Sequence, residues 1–202
     1  MNEQKINIIT ASWTLFFQYG IKSISMDDIA SKMGMSKKTL YNYFTNKNEL
    51  INEACEWDIK NPQFSFKSDQ IINLNALDQY FEFFSFINEK ILKKCDSLDY
   101  DLKKYYPEIW NNFKDEKIKL FQRELLYNLQ KGIDEGLYRP ELNIDFISKN
   151  LVGFYLNLGT TEYQVFSMEE VFNIDIHREL TLYHLYGICT NKGIEYFKNK
   201  FK

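Results

Sequence analysis

Apolar residues recur at helical spacing from the start of the chain. Ile6, Ile9, Trp13 and Phe16 fall on one face of a helix predicted over 3–19. Gly20 then suits the end of that helix. Ser25-Met26-Asp27-Asp28 places an acid three positions after a hydroxyl, the pattern of a capping box. It opens a short second helix with Ile29, Ala30 and Met33 as its apolar positions. Gly34 permits the left-handed backbone of a tight turn. Ser36 caps a third helix beginning Lys37-Lys38-Thr39-Leu40-Tyr41, and Asn46 with Glu49 opens a fourth. Pro62 and the stretch 61–68 mark a break. Long periodic segments follow over 69–94, 101–136, 143–166 and 169–201, with a helix stop at Gly136-Leu137-Tyr138-Arg139-Pro140. No alternating strand run and no internal repeat is found, so the chain reads as all-α.

Two short helices joined by a glycine turn form the pattern of a helix-turn-helix. Such a unit needs small or apolar residues where its helices meet, and Ala30, Met33, Leu40 and Phe44 supply them. With Leu40 and Phe44 inward, helix geometry turns Lys38, Thr39 and Asn42 outward, with Lys37, Tyr41 and Tyr43 on the flanks. These side chains are hydrogen-bond donors suited to phosphates and base edges. Lys47 opens the next helix, where its charge and free backbone N–H groups can meet a phosphate. Ser25 and Ser36 sit at two further helix starts.

Charge is unevenly distributed along the chain. The 202 residues carry a net charge of −3, so the chain as a whole is not a basic nucleic-acid binder. Residues 1–50 hold six lysines against four acids, net +2, which leaves −5 for the remainder. Hydrophobic residues make up 45% and aromatics 17%, enough for a sizeable core and too apolar for a disordered chain. Cys55, Cys95 and Cys189 lie far apart, as expected of reduced thiols in a cytoplasmic protein. The uncharged run Ile6–Ile21 is too short and too polar to cross a bilayer, and no small-residue cleavage site follows it. No nucleophile with its base, glycine-rich phosphate loop or metal cluster is evident, so no catalytic residue, metal or cofactor is assigned.

The residues Ala11, Phe16, Gly20, Ile24–Ala30, Gly34–Phe44 and Asn46–Leu50 occur in an order that resembles the N-terminal domain of TetR/AcrR-family transcriptional regulators, over Ile6–Glu53. The resemblance implies a DNA-binding domain over 1–50 and a helical regulatory and dimerisation domain over 51–202. It implies that Ser25, Ser36, Lys37, Lys38, Thr39, Tyr41, Asn42, Tyr43 and Lys47 face DNA. Of these, Thr39, Tyr41, Tyr43 and Lys47 match common phosphate contacts, and Lys37 and Lys38 are better placed for base edges. Histidine is frequent in the family where Tyr43 stands, and the position of Asp27 is sometimes basic.

The remainder of the chain resembles the family in architecture, with one local cue in Gly132–Arg139 followed by Leu142-Asn143. Leu151, Phe154, Tyr155 and Leu158 form an apolar stripe. Leu180, His184, Gly187 and Asn191 line one side of the final segment. Leu151, Phe154, Leu158, Leu180, His184 and Gly187 are candidates for a dimer interface; a monomeric core helix is the alternative. His177 and His184 are too few to hold a metal. Phe84, Trp110, Phe113 and Tyr155 are candidate ligand-binding residues, although aromatics at this spacing also build plain core. A pocket among them would take an apolar or aromatic effector. The reading is a homodimeric, ligand-responsive repressor of a palindromic double-stranded DNA operator, not an enzyme. A constitutive or partner-controlled DNA-binding regulator is the alternative.

Overall fold

A computed structural model describes residues 2–62, 64–93, 97–157, 165–171 and 173–200. All regular structure among them is helical, apart from one isolated bridge between Tyr138 and Cys189. The chain divides into two compact units, Met1–Gln63 with Lys93–Lys117 and Phe64–Leu92 with Ile118–Lys202.

The first unit begins with α1 (Glu3–Tyr19), whose Ile8, Ile9, Trp13 and Phe16 are buried on one face. Asn2 caps it by accepting the Gln4 N–H at 3.0 Å. The short α2 (Met26–Lys32) has the capping box read from sequence: Ser25 Oγ accepts the Asp28 N–H, and the Asp28 carboxylate accepts the Ser25 N–H. Both bonds satisfy donors that a helix start leaves orphaned. Gly34 turns the chain at φ 63° into α3 (Lys37–Tyr41). The helix α4 (Lys47–Lys60) buries Leu50, Ile51, Ala54 and Cys55 against α1. A boundary after residue 50 therefore falls inside α4, whose apolar face belongs to the first core.

That core extends further along the chain. Leu98 and Leu102 of α6 (Ser97–Tyr105) are buried in it, and Ile109, Trp110 and Phe113 of α7 (Pro107–Asp134) pack against it. The periodic segment 101–136 thus spans two helices, because Pro107 lacks the N–H that a continuous helix needs and instead begins α7.

The second unit contains α5 (Ala76–Lys93), the part of α7 from Ile118, α8 (Ile144–Asn157), α9 (Met168–Val171), α10 (Ile174–Ile188) and α11 (Asn191–Lys200). One apolar cluster joins Leu77, Tyr80, Leu129, Tyr138, Leu185 and Phe197; another joins Phe66, Phe83, Leu125, Leu151 and Val152. Buried amides serve the loop before α5. Gln79 Nε2 donates to the carbonyls of Phe66 and Ile71, and Asn128 Nδ2 donates to that of Ala76. A methyl at Gly132 would strike the ring of Tyr138, so this helix–loop approach requires glycine. The segment 69–94 starts its helix only at Ala76. The final segment is interrupted at Cys189, where extended backbone lets the Thr190 N–H reach the Leu137 carbonyl at 2.9 Å. Asn191 consequently begins α11 and does not continue the face of α10.

Candidate nucleic-acid interface

The third helix is only five residues long, so its form depends on its cap and its anchors. Ser36 Oγ accepts the Thr39 N–H at 3.0 Å and shares a 2.8 Å hydrogen bond with the Thr39 hydroxyl. Leu40 is fully buried, and Phe44 is buried in the loop that follows. Two inward anchors one turn apart leave Lys37, Lys38, Thr39, Tyr41 and Asn42 exposed together, as the sequence predicts. Tyr43 is half-buried against the core, and Ser25 and Ser36 are exposed at their helix starts.

Two cations are held by neighbours. The Lys37 ammonium pairs with the Asp27 carboxylate at 2.8 Å across the turn, and that contact favours its charged form. Lys47 departs from the expected outward pose. Its Nζ donates to the Ile21 carbonyl at 2.6 Å, 5.9 Å from the centroid of the Phe16 ring. Partial burial lowers its pKa, against the opposing fields of Asp101 and Asp28. The bond fastens the start of α4 to the loop after α1. Two residues behind this arrangement were not found from sequence. Asp101 is buried and accepts the Lys22 N–H at 2.7 Å from a position 79 residues away. Asp58 is buried, accepts the Trp13 indole N–H at 3.0 Å and pairs with Lys117. No local spacing links such partners, so no sequence signal marks them.

The other predicted residues are not gathered into one described site. Trp110 and Phe113 pack with the first core, Phe113 lying edge-on to Trp13 at 5.6 Å between centroids. Phe113 also lines an open groove of about 250 Å³ with Cys55, Ile59 and Ile109, and there burial pushes the Cys55 thiol up to about 12. Phe84 is half-buried on α5, and the side chain of Tyr155 lies outside the described residues. Leu151 is buried among the apolar residues of the second unit, which removes it from any exposed interface. His184 stacks on Tyr80 at 5.5 Å, also facing inward, while Phe154 and Leu180 are half-buried. Leu158 lies outside the described residues. Gly187 is exposed with open space about it. The large apolar side chains of the second unit that face outward include Phe146 on α8, 65% exposed, and Tyr183 on α10, 83% exposed. Sequence periodicity passed over both.

A capped helix, a glycine turn and a second short helix with an exposed row of donors form a helix-turn-helix unit. Residues 8–54 match the family described as "Bacterial regulatory proteins, tetR family". It is 26% identical over 171 residues to the uncharacterized HTH-type transcriptional regulator YerO of Bacillus subtilis, covering 78% of this chain and 56% of YerO. It is 27% identical over 128 residues to IcaR of Staphylococcus epidermidis, the HTH-type negative transcriptional regulator of the biofilm operon icaADBC, covering 58% of this chain and 69% of IcaR. The fold matches the crystal structure of a transcriptional regulator from Cytophaga hutchinsonii with a TM-score of 0.72 at 20% identity, covering 94% of this chain and all of the other. Among the described residues no helix is long and apolar enough to cross a membrane.

Proposed function

We propose that the chain acts as a homodimeric repressor whose hold on a palindromic operator is released by a small apolar or aromatic effector. The observation that carries this reading is the exposed row Lys37, Lys38, Thr39, Tyr41 and Asn42 on a helix anchored by Leu40. Lys37 and Lys38 are assigned to base edges; Thr39, Tyr41, Tyr43 and Lys47 to phosphates, with Ser25, Ser36 and Asn42 beside them. Lys47 takes up this role by exchanging the Ile21 carbonyl for a phosphate.

Two-fold pairing through the outward faces of α8 and α10 would present two reading heads about one DNA turn apart, ~34 Å or more. Phe146, Tyr183 and the open surface at Gly187 support that pairing. Repression is favoured by the likeness to IcaR, a negative regulator by name. The effector is assigned to the second unit, as the resemblance to the family implies. It would act by preferring the conformation that does not fit the operator.

The test is selection of bound fragments from random DNA by the purified protein at ~150 mM salt, where nonspecific phosphate binding is suppressed. A two-fold symmetric motif is expected, lost on Thr39→Ala without loss of fold. Recovery of unsymmetric or unenriched sequence would refute a dimeric operator reader.

A further inference from the structure

Outside the helix-turn-helix, the first unit carries an exposed cluster of lysines and tyrosines. Lys22 lies in the loop after α1; Tyr100, Lys103, Lys104 and Tyr105 lie on α6, and all five are exposed. Lys104 Nζ donates to the Tyr100 hydroxyl at 2.6 Å and sits 5.0 and 5.3 Å from the ring centroids of Tyr100 and Tyr105. Lys22 Nζ lies 4.0 Å over the Tyr105 ring. Cations resting on aromatic faces are already held in place and lose less freedom when they bind an anion.

The cluster is continuous with the reading head. The Lys22 N–H is held by Asp101 of α6, and the neighbouring Ile21 carbonyl holds the Lys47 ammonium. Asp101 is itself buried, with its carboxylate accepting the Lys22 N–H.

We propose that Lys22, Lys103 and Lys104, with Tyr100 and Tyr105, form a second DNA-contacting surface that grips backbone phosphates flanking the segment read by α3. The inference rests on the assignment of α3 and Lys47 to DNA. Its occupant is double-stranded DNA because the surface is cationic, rich in donors and joined to a DNA-facing edge. Phosphate contacts of this kind add affinity without adding sequence preference.

The test uses the full-length protein and two duplexes carrying the selected motif. One ends at the outer edges of the half-sites; the other continues for about one further turn, ~10 base pairs, on each side. Wild type is expected to bind the longer duplex more tightly. The pair Lys103→Ala and Lys104→Ala should erase that advantage, with a loss of tenfold or more. The slope of log affinity against log salt should fall by nearly 2 per reading head, at ~0.9 per phosphate contact. On the short duplex the variant should equal wild type. Lys149→Ala with Lys192→Ala, the same charge change in the second unit, should alter neither. An unchanged slope on the longer duplex overturns the inference, as does an equal loss on both lengths. If wild type binds neither duplex, the DNA-reading assignment itself falls and this inference falls with it.

Discussion

Lys47 joins the fold to the proposed DNA contact, and replacing it by methionine separates the two roles. Methionine keeps most of the aliphatic stem beside Phe16 and removes the ammonium that the Ile21 carbonyl accepts at 2.6 Å. A hydrogen bond from a charged donor contributes roughly 1.5–3 kcal/mol, and with Lys47 only half-buried we expect about 1 kcal/mol of lost stability. The DNA contribution follows from counterion release. One phosphate contact contributes ~0.9 to the salt slope, which at ~0.15 M salt is about 0.7 log units, or ~1 kcal/mol per head. The two effects oppose each other in affinity, because wild type must give up the Ile21 carbonyl before its ammonium can reach a phosphate. The loss in affinity at one salt concentration can therefore be small. The slope carries no such cancellation and should fall by ~0.9 per head, nearly 2 for a dimer. Fluorescence anisotropy with labelled operator across a salt series measures it, and urea unfolding measures the stability change. An unchanged slope with reduced stability would mean that Lys47 only fastens α4 to the loop after α1, and the phosphate assignment would be wrong.

Asp58→Ala removes the carboxylate that pairs with the Lys117 ammonium and accepts the Trp13 indole N–H. Breaking a buried ion pair costs about 3–5 kcal/mol, and Lys117 keeps 23% side-chain exposure, so we expect ~2–3 kcal/mol by urea unfolding; a loss below ~1 would refute the buried-pair account. Burial lowers the His184 pKa from 6.5 to about 4, so the unfolded chain takes up a proton that the folded chain refuses. Stability should be unaffected by this group above pH 6.5 and fall as the pH drops towards 4, by up to ~3 kcal/mol, then level off. The pH dependence of the difference between wild type and His184→Gln isolates the effect, and a flat difference from pH 7 to 4 would contradict it. Phe146→Lys with Tyr183→Lys should convert a dimer at micromolar concentration to a monomer by light scattering, with helical circular dichroism retained. A wild-type monomer would remove the assignment of α8 and α10 to pairing.

What could be read from the sequence was whatever depends on neighbours a few residues apart. The cap of α2 by Ser25 and Asp28, the turn at Gly34 and the inward pair Leu40 and Phe44 are all set within one or two turns of helix, and each is found where the spacing puts it. The proposed DNA-facing row was legible for the same reason, since two anchors on a short helix determine what is left outside. The second unit was harder because its long helices are apolar on more than one side, so periodicity marks burial without saying what does the burying. Leu151 and Phe146 illustrate the failure. Leu151 sits in a regular apolar stripe and is core, whereas Phe146, outside that stripe, is the exposed ring. Lys47 is a different case. A lysine at a helix start is a sound phosphate ligand on local grounds, but its resting partner is a carbonyl 26 positions earlier, and the acid whose field helps to hold it, Asp101, lies on α6. Long-range polar pairs of this kind fix where a cation rests before DNA arrives. They bear on how much of a phosphate contact survives as net affinity, which is why the salt slope and not the binding constant is the decisive observable for this interface.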